Sequence, residues 1–544
     1  MKRLLLLFIC LTLSAACLAF SASAVYQDVP LNDVLASEVE KATQYGLVNG
    51  YGNALFGFRD PITRAQFVTI LSRMFQWEFN DVSTEILSDL QIESISAVYL
   101  PAIKTAAFLD VIEQNKPFRG NDSITRKEMA EMLVRALGLK SAAMHAEKNS
   151  KLPFIDVTDG SGYISVAYDI GMTKGTSATT FSPDNTATRG QAAAMLVRIY
   201  EKLHPKEDPW IHSHYAISSY SQIDLAQESD AVTLGWSRMQ WDGENTTLLT
   251  TSKNQNEYYI PNGYETVVKS LDGSGVKLHL GVYMDRNAGE LLSSEKSRSD
   301  AVAAIINEVT VKYKTLKRNP YSGVTIDFEG LRSTHRENFT DFLRELSVEL
   351  KKLQQTLYVC VSPVLETGIY YDGYAYREIG NLADKVILMA YDYDAKDLAG
   401  FIGSNYYKTA ASAPIDQVYL ALKAISDPDF GVSDLSKIVL GCSSKNIAWN
   451  ISESGKLLSE NPVYPNNDTV IKRMKTTAEN WSSSYGTPYL EYQTETGDHY
   501  FLWYENNRSI QLKLDTAKLF GINAISFWRL GTIPHYTEWN WIIS

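Results

Sequence analysis

Cysteine is nearly absent from this chain: four in 544 residues, with Cys10 and Cys17 inside the first two dozen. Cys360 and Cys442 remain, each within an apolar strand-like run, and read as two buried thiols. A disulfide between them is the alternative, and a disulfide-rich scaffold is excluded. Excess positive charge is missing too. A formal net charge of -12 argues against a nucleic-acid partner and against an anionic membrane surface. Beyond the N-terminus no run is long and apolar enough to span a bilayer. His212 and His214 stand two apart with no third ligand evident, so neither a metal site nor a cofactor is expected.

The first segment is an expected leader. Lys2 and Arg3 precede an apolar run over residues 4–13, and small residues follow, ending Ala22-Ser23-Ala24. This three-part layout predicts a secretory signal peptide over residues 1–24. An uncleaved anchor is the alternative, against which the run is short. Ser14 stands where a lipoprotein site ahead of Cys17 has a bulky apolar residue. A large exported chain with so little cysteine fits a bacterial wall. The length allows two or more domains, and the 45% apolar fraction allows large cores. The 32 Tyr and 10 Trp suit carbohydrate contact through their flat apolar faces, although core packing explains much of the same excess.

An internal repeat occupies the next stretch. Thr63-Arg64-Ala65-Gln66 recurs as Thr125-Arg126-Lys127-Glu128 and Thr188-Arg189-Gly190-Gln191. Each is a capping box, with Thr at the N-cap and Gln or Glu three residues on. The helices behind stay in register. Phe67, Ile70, Leu71 and Met74 match Met129, Met132, Leu133 and Ala136, then Ala192, Met195, Leu196 and Ile199. Asp28-Val29, Asp81-Val82 and Asp156-Val157 open the copies. Two helices and a loop cannot bury their own face, so three copies would share one all-α bundle.

These motifs resemble S-layer homology (SLH) domains, with copies over residues 25–79, 80–142 and 151–204. The resemblance implies that Arg64, Arg126 and Arg189 bind an anionic secondary cell-wall polymer, each guanidinium joined by free helix N–H groups. Arginine pairing within the bundle is the alternative. The second copy has Asp110-Val111-Ile112-Glu113 in place of the first copy's Gly50-Tyr51 turn, and the third has Met172-Thr173-Lys174-Gly175. Residues 205–213, with two prolines and three charges, read as a linker.

From residue 214 onward apolar strands alternate with amphipathic helices such as 298–314 and 336–354. Strands are expected at 215–220, 231–236, 276–283, 323–327, 357–361, 385–391, 437–441 and 524–528. Eight of them predict an α/β (β/α)8 TIM barrel, with an α+β insertion before strand eight and a doubly wound sheet as competitor. Residues 322–330 read Ser-Gly-Val-Thr-Ile-Asp-Phe-Glu-Gly. Strand alternation puts Thr325, Asp327 and Glu329 on one face. Two crowded carboxylates repel, one pKa rises, and Glu329 becomes a candidate general acid.

That strand resembles the strand-four signature of glycoside hydrolase family 18, Asp-x-x-Asp-x-Asp-x-Glu. Met389-Ala390-Tyr391-Asp392-Tyr393 resembles its strand six. Residues 503–506, Ser509, Ile510, Lys513 and 525–531 resemble the tail of the branch holding spore-cortex and peptidoglycan N-acetylglucosaminidases. The resemblance covers residues 214–544. It implies that the substrate's own acetamide is the nucleophile, with Glu329 as acid and then base. Asp327 would hold the acetamide nitrogen and Tyr391 its oxygen. Asp392, Met389 and Thr325 would line the sugar site and Trp528 would floor it. Trp236, Tyr283, Trp449 and Trp503 are candidates for outer subsites or for core. Ser322 and Thr325 occupy the first two Asp positions, and Thr325 would hydrogen-bond Asp327 without sharing its charge.

The expectation is a secreted, wall-attached monomer cleaving β-linked N-acetylglucosamine polymer, peptidoglycan first and chitin second. A catalytically silent glycan-binding wall protein and a structural S-layer protein are the competing readings.

Overall fold

The computed structural model describes residues 26–78, 90, 92, 94–114, 116–149, 151–251, 258–363 and 372–534. The expected leader and Asp81-Val82 lie outside them. Among the described residues no helix is long and apolar enough to cross a membrane. The chain divides into two compact units. One takes Met1–Ala136, Pro153–Thr158 and Met172–Glu201; the other takes Leu137–Leu152, Asp159–Gly171 and Lys202–Ser544.

The first unit is helical and carries the repeat. Its motif helices are Arg64–Met74, Arg126–Ala136 and Arg189–Leu203. All three capping boxes form. Thr63 Oγ1 accepts from Gln66 N while Thr63 N donates to Gln66 Oε1, and Thr125/Glu128 and Thr188/Gln191 repeat the exchange. Phe67, Leu71, Met129, Leu133, Ala192 and Leu196 are buried as the stripe requires. The residue before each capping threonine closes a ring. Ile62 N donates to Ala187 O, Ala187 N to Ile124 O, and Ile124 N to Ile62 O, at 2.9–3.2 Å.

The second unit is built on a closed barrel. Its strands are β1 (Trp210–Tyr215), β2 (Ala231–Trp241), β3 (Thr246–Leu249), β4 (Lys277–Met284), β5 (Gly323–Phe328), β6 (Thr356–Val361), β7 (Lys385–Met389) and β8 (Ile438–Ser443). Then come β9 (Ile447–Ile451), β10 (Asn480–Ser482), β11 (Thr487–Gln493), β12 (His499–Trp503) and β13 (Ala524–Trp528). Parallel pairing runs β1-β13-β8-β7-β6-β5-β4-β2 and closes through β2–β1. Antiparallel β3 extends β2 outside the ring. Between β8 and β13 sits the expected insertion, a four-stranded antiparallel sheet in the order β10-β11-β12-β9 with the helix Asn467–Met474. Helices Glu295–Thr310 and Arg336–Lys352 cover the ring near their expected places.

The first barrel strand is Trp210–Tyr215 rather than 215–220, so the segment read as linker to residue 213 contains most of it. Residues 217–222 form a 3-10 turn. The strand was obscured because polar residues occupy its buried positions. His212 is fully buried, with Nδ1 2.7 Å from Ser526 Oγ and Nε2 2.7 Å from Thr233 Oγ1. Its hydrophobic alternation is replaced by satisfied hydrogen bonds. The helix Lys140–Asn149, which starts at the end of the second expected copy and runs past it, and the helix Ser161–Asp169 of the third copy group with the barrel unit. There Asp169 accepts from Tyr419 Oη (2.6 Å) and pairs with Lys423 Nζ (2.7 Å).

Within the repeat unit, Asp28 accepts three backbone N–H bonds, from Phe56, Gly57 and Phe58, at 2.6–2.9 Å. Asp28→Ala orphans those donors. It should destabilise the repeat unit by about 1–3 kcal/mol, read as an earlier helical unfolding transition with the barrel transition unchanged.

Candidate active site

The fourth barrel strand ends at the site. Along β5, Val324, Ile326 and Phe328 are fully buried. Thr325, Asp327 and Glu329 leave the other face. Glu329 N continues the ladder by donating to Met284 O at 2.8 Å, and Gly330 at φ +72° turns the chain away. Asp327 is 7% exposed, and its Oδ1 has no hydrogen-bond partner among the described residues. Burial, then the Glu329 charge, pushes its carboxyl well above the usual range. Burial, then Asp392 and Asp285, pushes Glu329 up to about 7. The pair therefore keeps a proton near neutral pH, as a general acid requires.

Thr325 departs from its expected role. Its hydroxyl lies 2.6 Å from Thr233 Oγ1 and 3.2 Å from His279 Nδ1, not on Asp327. His279 Nε2 meets Thr356 Oγ1 at 2.9 Å. Burial lowers His214 to about 4 and His279 to about 3, so these imidazoles stay neutral in the barrel core. Beneath Asp327 the barrel thus carries a neutral hydroxyl–imidazole chain.

The neighbouring strand ends supply the other expected residues. Met389 ends β7 half-buried and packs with Tyr358, Cys360 and Ile387 inside the barrel. Tyr391 follows it, and burial and then the Asp327 charge push its hydroxyl up. Asp392 at φ +64° turns toward solvent and takes Lys445 Nζ at 2.8 Å. Trp528 ends β13 with one edge against His214, ring centroids 5.1 Å apart. A cleft beside it, lined by Ser443, Asn506, Ile510, Phe527 and Ile533, has room for about 20 Å3, one water rather than a sugar. Trp236, Trp449 and Trp503 are buried core. Glu505 and Lys513 form a buried ion pair at 2.7 Å. Cys360 and Cys442 are free and buried.

Three groups escaped the sequence reading. Asp285 follows β4, and its charge helps raise the pKa of Glu329. An acid just past a strand C-terminus was the available signal. Arg238 pairs with Asp285 and lies over Tyr258 and Tyr283, which stack on each other at 4.8 Å. Tyr283 stands opposite Asp327 in register. Lys445, on the loop after β8, had no pattern to mark it.

In the repeat unit the motif arginines reach the next copy. Arg64 pairs with Glu128 at 2.6 Å. Arg126 donates to Phe181 O (2.9 Å) and Thr173 Oγ1 (3.4 Å), and Arg189 to Phe56 O (2.9 Å) and Asn49 O (2.8 Å). The helix N–H groups beside them are already taken. Arg64 N, Arg126 N and Arg189 N donate to Asp122 O, Asn185 O and Asp60 O. The expectation of free N–H groups is corrected accordingly, because the loop of the adjoining copy satisfies them. A groove of about 180 Å3 opens beside Arg64, lined by Ile112, Glu113, Lys116, Arg119 and Glu128.

The family model of glycosyl hydrolases family 18 matches residues 245–532, more than half of the chain. The chain belongs to glycosyl hydrolases family 18. The S-layer homology domain model matches residues 29–68 and 153–193, within the first and third expected copies. The chain is similar to the cortical fragment-lytic enzyme of Bacillus subtilis, 23% identical over 252 residues, covering 44% of this chain and 54% of that protein. It is also similar to the middle cell wall protein of Brevibacillus brevis, 28% identical over 197 residues, covering 34% and 16%. The crystal structure of the Bacillus cereus spore cortex-lytic enzyme superposes with TM-score 0.47 at 18% identity, covering 60% of this chain and 72% of that one. The chain spans about half the length of the cortical fragment-lytic relatives it matches. The closed parallel ring is the barrel expected of that family.

The raised Glu329 pKa carries a sign. The folded protein holds this proton up to about pH 7, whereas an unfolded Glu releases it near about 4.3. The stability it contributes is complete below the unfolded value and is lost as pH rises through the folded one. Glu329→Gln removes that dependence. Its melting temperature should gain on wild type by about 2–4 °C between pH 5 and pH 8; a gap that stays flat with pH refutes the assignment.

Proposed function

We propose that the chain is a wall-attached glycosidase that cleaves β-linked N-acetylglucosamine polymer, with peptidoglycan ahead of chitin. The observation that carries this is the proton-holding Asp327/Glu329 pair at the end of the fourth strand. The similarity to a cortical fragment-lytic enzyme supports a wall glycan.

The residues suit hydrolysis with retention and no enzyme nucleophile, the exception this family makes to the two-carboxylate rule. The substrate's acetamido oxygen attacks the anomeric carbon. Glu329 gives its proton to the departing glycosidic oxygen. Asp327, with an unfilled Oδ1, takes the acetamide N–H and steadies the cyclic cation, while Tyr391 donates to the acetamide oxygen. Water then opens the ring intermediate and returns a proton to Glu329. Trp528 floors the sugar, with Met389 and Asp392 beside it. Because the acid must arrive protonated, turnover falls as pH rises through about 7.

SLH copies suit retention at the wall. Arg126 and Arg189 donate to carbonyls and a hydroxyl, whereas Arg64 is neutralised by Glu128. Arg126 and Arg189 therefore keep more attraction for an anionic polymer.

Thr325 favours a second reading, a silent glycan binder, since its hydroxyl serves Thr233 and His279 and leaves Asp327 without that partner. Reducing-end release from peptidoglycan and from chitin oligomers separates the two. Wild type should release ends, and Glu329→Gln should lose about 10²–10⁴-fold. Absence of release by wild type on both substrates rejects the enzyme. Anchoring is tested with point variants in the full chain, since helices 140–149 and 161–169 group with the barrel. Arg126→Ala with Arg189→Ala should reduce pelleting with walls and leave reducing-end release from soluble oligomers intact; undiminished pelleting rejects these arginines as anchors.

A further inference from the structure

Of the charged cluster beside Tyr391, the chemistry above uses Asp392 and leaves Lys445, Asp394 and Lys396 without a role. Lys445 leaves the end of β8, between the β7 end that carries Tyr391 and Asp392 and the β13 end that carries Trp528. Its Nζ bonds Asp394 at 3.0 and 3.2 Å and Asp392 at 2.8 Å. The two acids differ in kind. The Asp394 side chain is fully buried, while that of Asp392 is half exposed. Asp394 also takes Lys396 Nζ at 2.9 Å. The Tyr464 ring, half exposed, lies 4.9 Å from Lys445 Nζ and 5.9 Å from Lys396 Nζ.

A buried carboxylate that anchors two ammonium groups fixes their positions without neutralising both. The contact between Lys445 and Asp392 faces solvent, so a second carboxylate can displace Asp392 there without burying a new charge. The half-exposed Tyr464 ring beside both lysines leaves apolar surface on which a sugar carrying that carboxylate can rest. We propose that Lys445, supported by Asp394 and Lys396 and backed by Tyr464, is a subsite for a carboxylate-bearing amino sugar, and so selects an acidic glycan over a neutral one. This rests on the glycosidase reading and sharpens it. The lactyl ether of a peptidoglycan strand carries such a carboxylate wherever no stem peptide is joined to it; chitin carries none. Lys445 is held well above its usual range, by its Asp392 and Asp394 bonds against the opposing effect of burial, and remains charged wherever the enzyme acts.

Binding separates this from the chemistry. Peptidoglycan oligosaccharides with free carboxylates, and the same oligosaccharides after carboxyl amidation, are titrated by calorimetry into the full chain carrying Glu329→Gln. The free acids should bind about tenfold tighter than the amides. Adding Lys445→Met should bring that ratio to about one, and Lys445→Arg should keep most of it. The amidation arm needs no change at Lys445, so a variant that misfolds leaves the test standing. Equal binding of acid and amide by the Glu329→Gln chain overturns the subsite, as does an unchanged ratio in Lys445→Met. Failure of wild type to hydrolyse any acetamido glycan overturns the glycosidase reading instead, and leaves the binding ratio free to stand or fall.

Discussion

Everything at the mouth of the barrel depends on two carboxyl groups held where water cannot fully solvate them. An exposed Asp-x-Glu would ionise near its usual values and carry two charges. Here Phe328 and Ile326 pack behind the strand, the barrel closes below, and the neighbouring strand ends bring further acids rather than cations directly against Glu329. Arg238, which could relieve the crowding, is engaged by Asp285 and by two tyrosine rings. The strain of like charges in a poor dielectric is thus kept as proton affinity.

That arrangement needs a floor that adds no charge of its own. Inside the ring, His212, Thr233, Thr325, His279 and Thr356 form a continuous hydrogen-bonded chain across five strands. Each imidazole is buried and neutral, so the chain satisfies polar atoms without lending a cation to Asp327. A lysine or charged histidine in the same place would pull the carboxyl down and undo the effect above.

Much of this was legible in the sequence because the signals were local. Capping boxes at fixed spacing, the alternation ending in Asp327 and Glu329, and seven of eight barrel strands all depend on neighbouring residues. What stayed hidden depends on distant partners. The strand at Trp210 looked like linker because the serine and threonine that satisfy His212 lie 314 and 21 residues away. Thr325 was expected to serve Asp327 because both share a face, yet Thr233 two strands away and His279 on the adjacent strand hold its hydroxyl. The helices at 140–149 and 161–169 lie between the second and third motif helices in sequence but group with the barrel, through contacts such as Asp169 with Tyr419. Lys445 is an isolated lysine in a loop until Asp394 is placed under it.

The ring of hydrogen bonds through Ile62, Ala187 and Ile124 has a consequence for how this protein can change over time. In an open stack each added unit extends the end, and copy number drifts freely. Here every member is both donor and acceptor, and the last returns to the first. Losing a member leaves a gap that neither survivor can bridge, and an extra one finds no vacancy. Gain or loss of a single unit therefore disturbs the whole ring rather than one end of it.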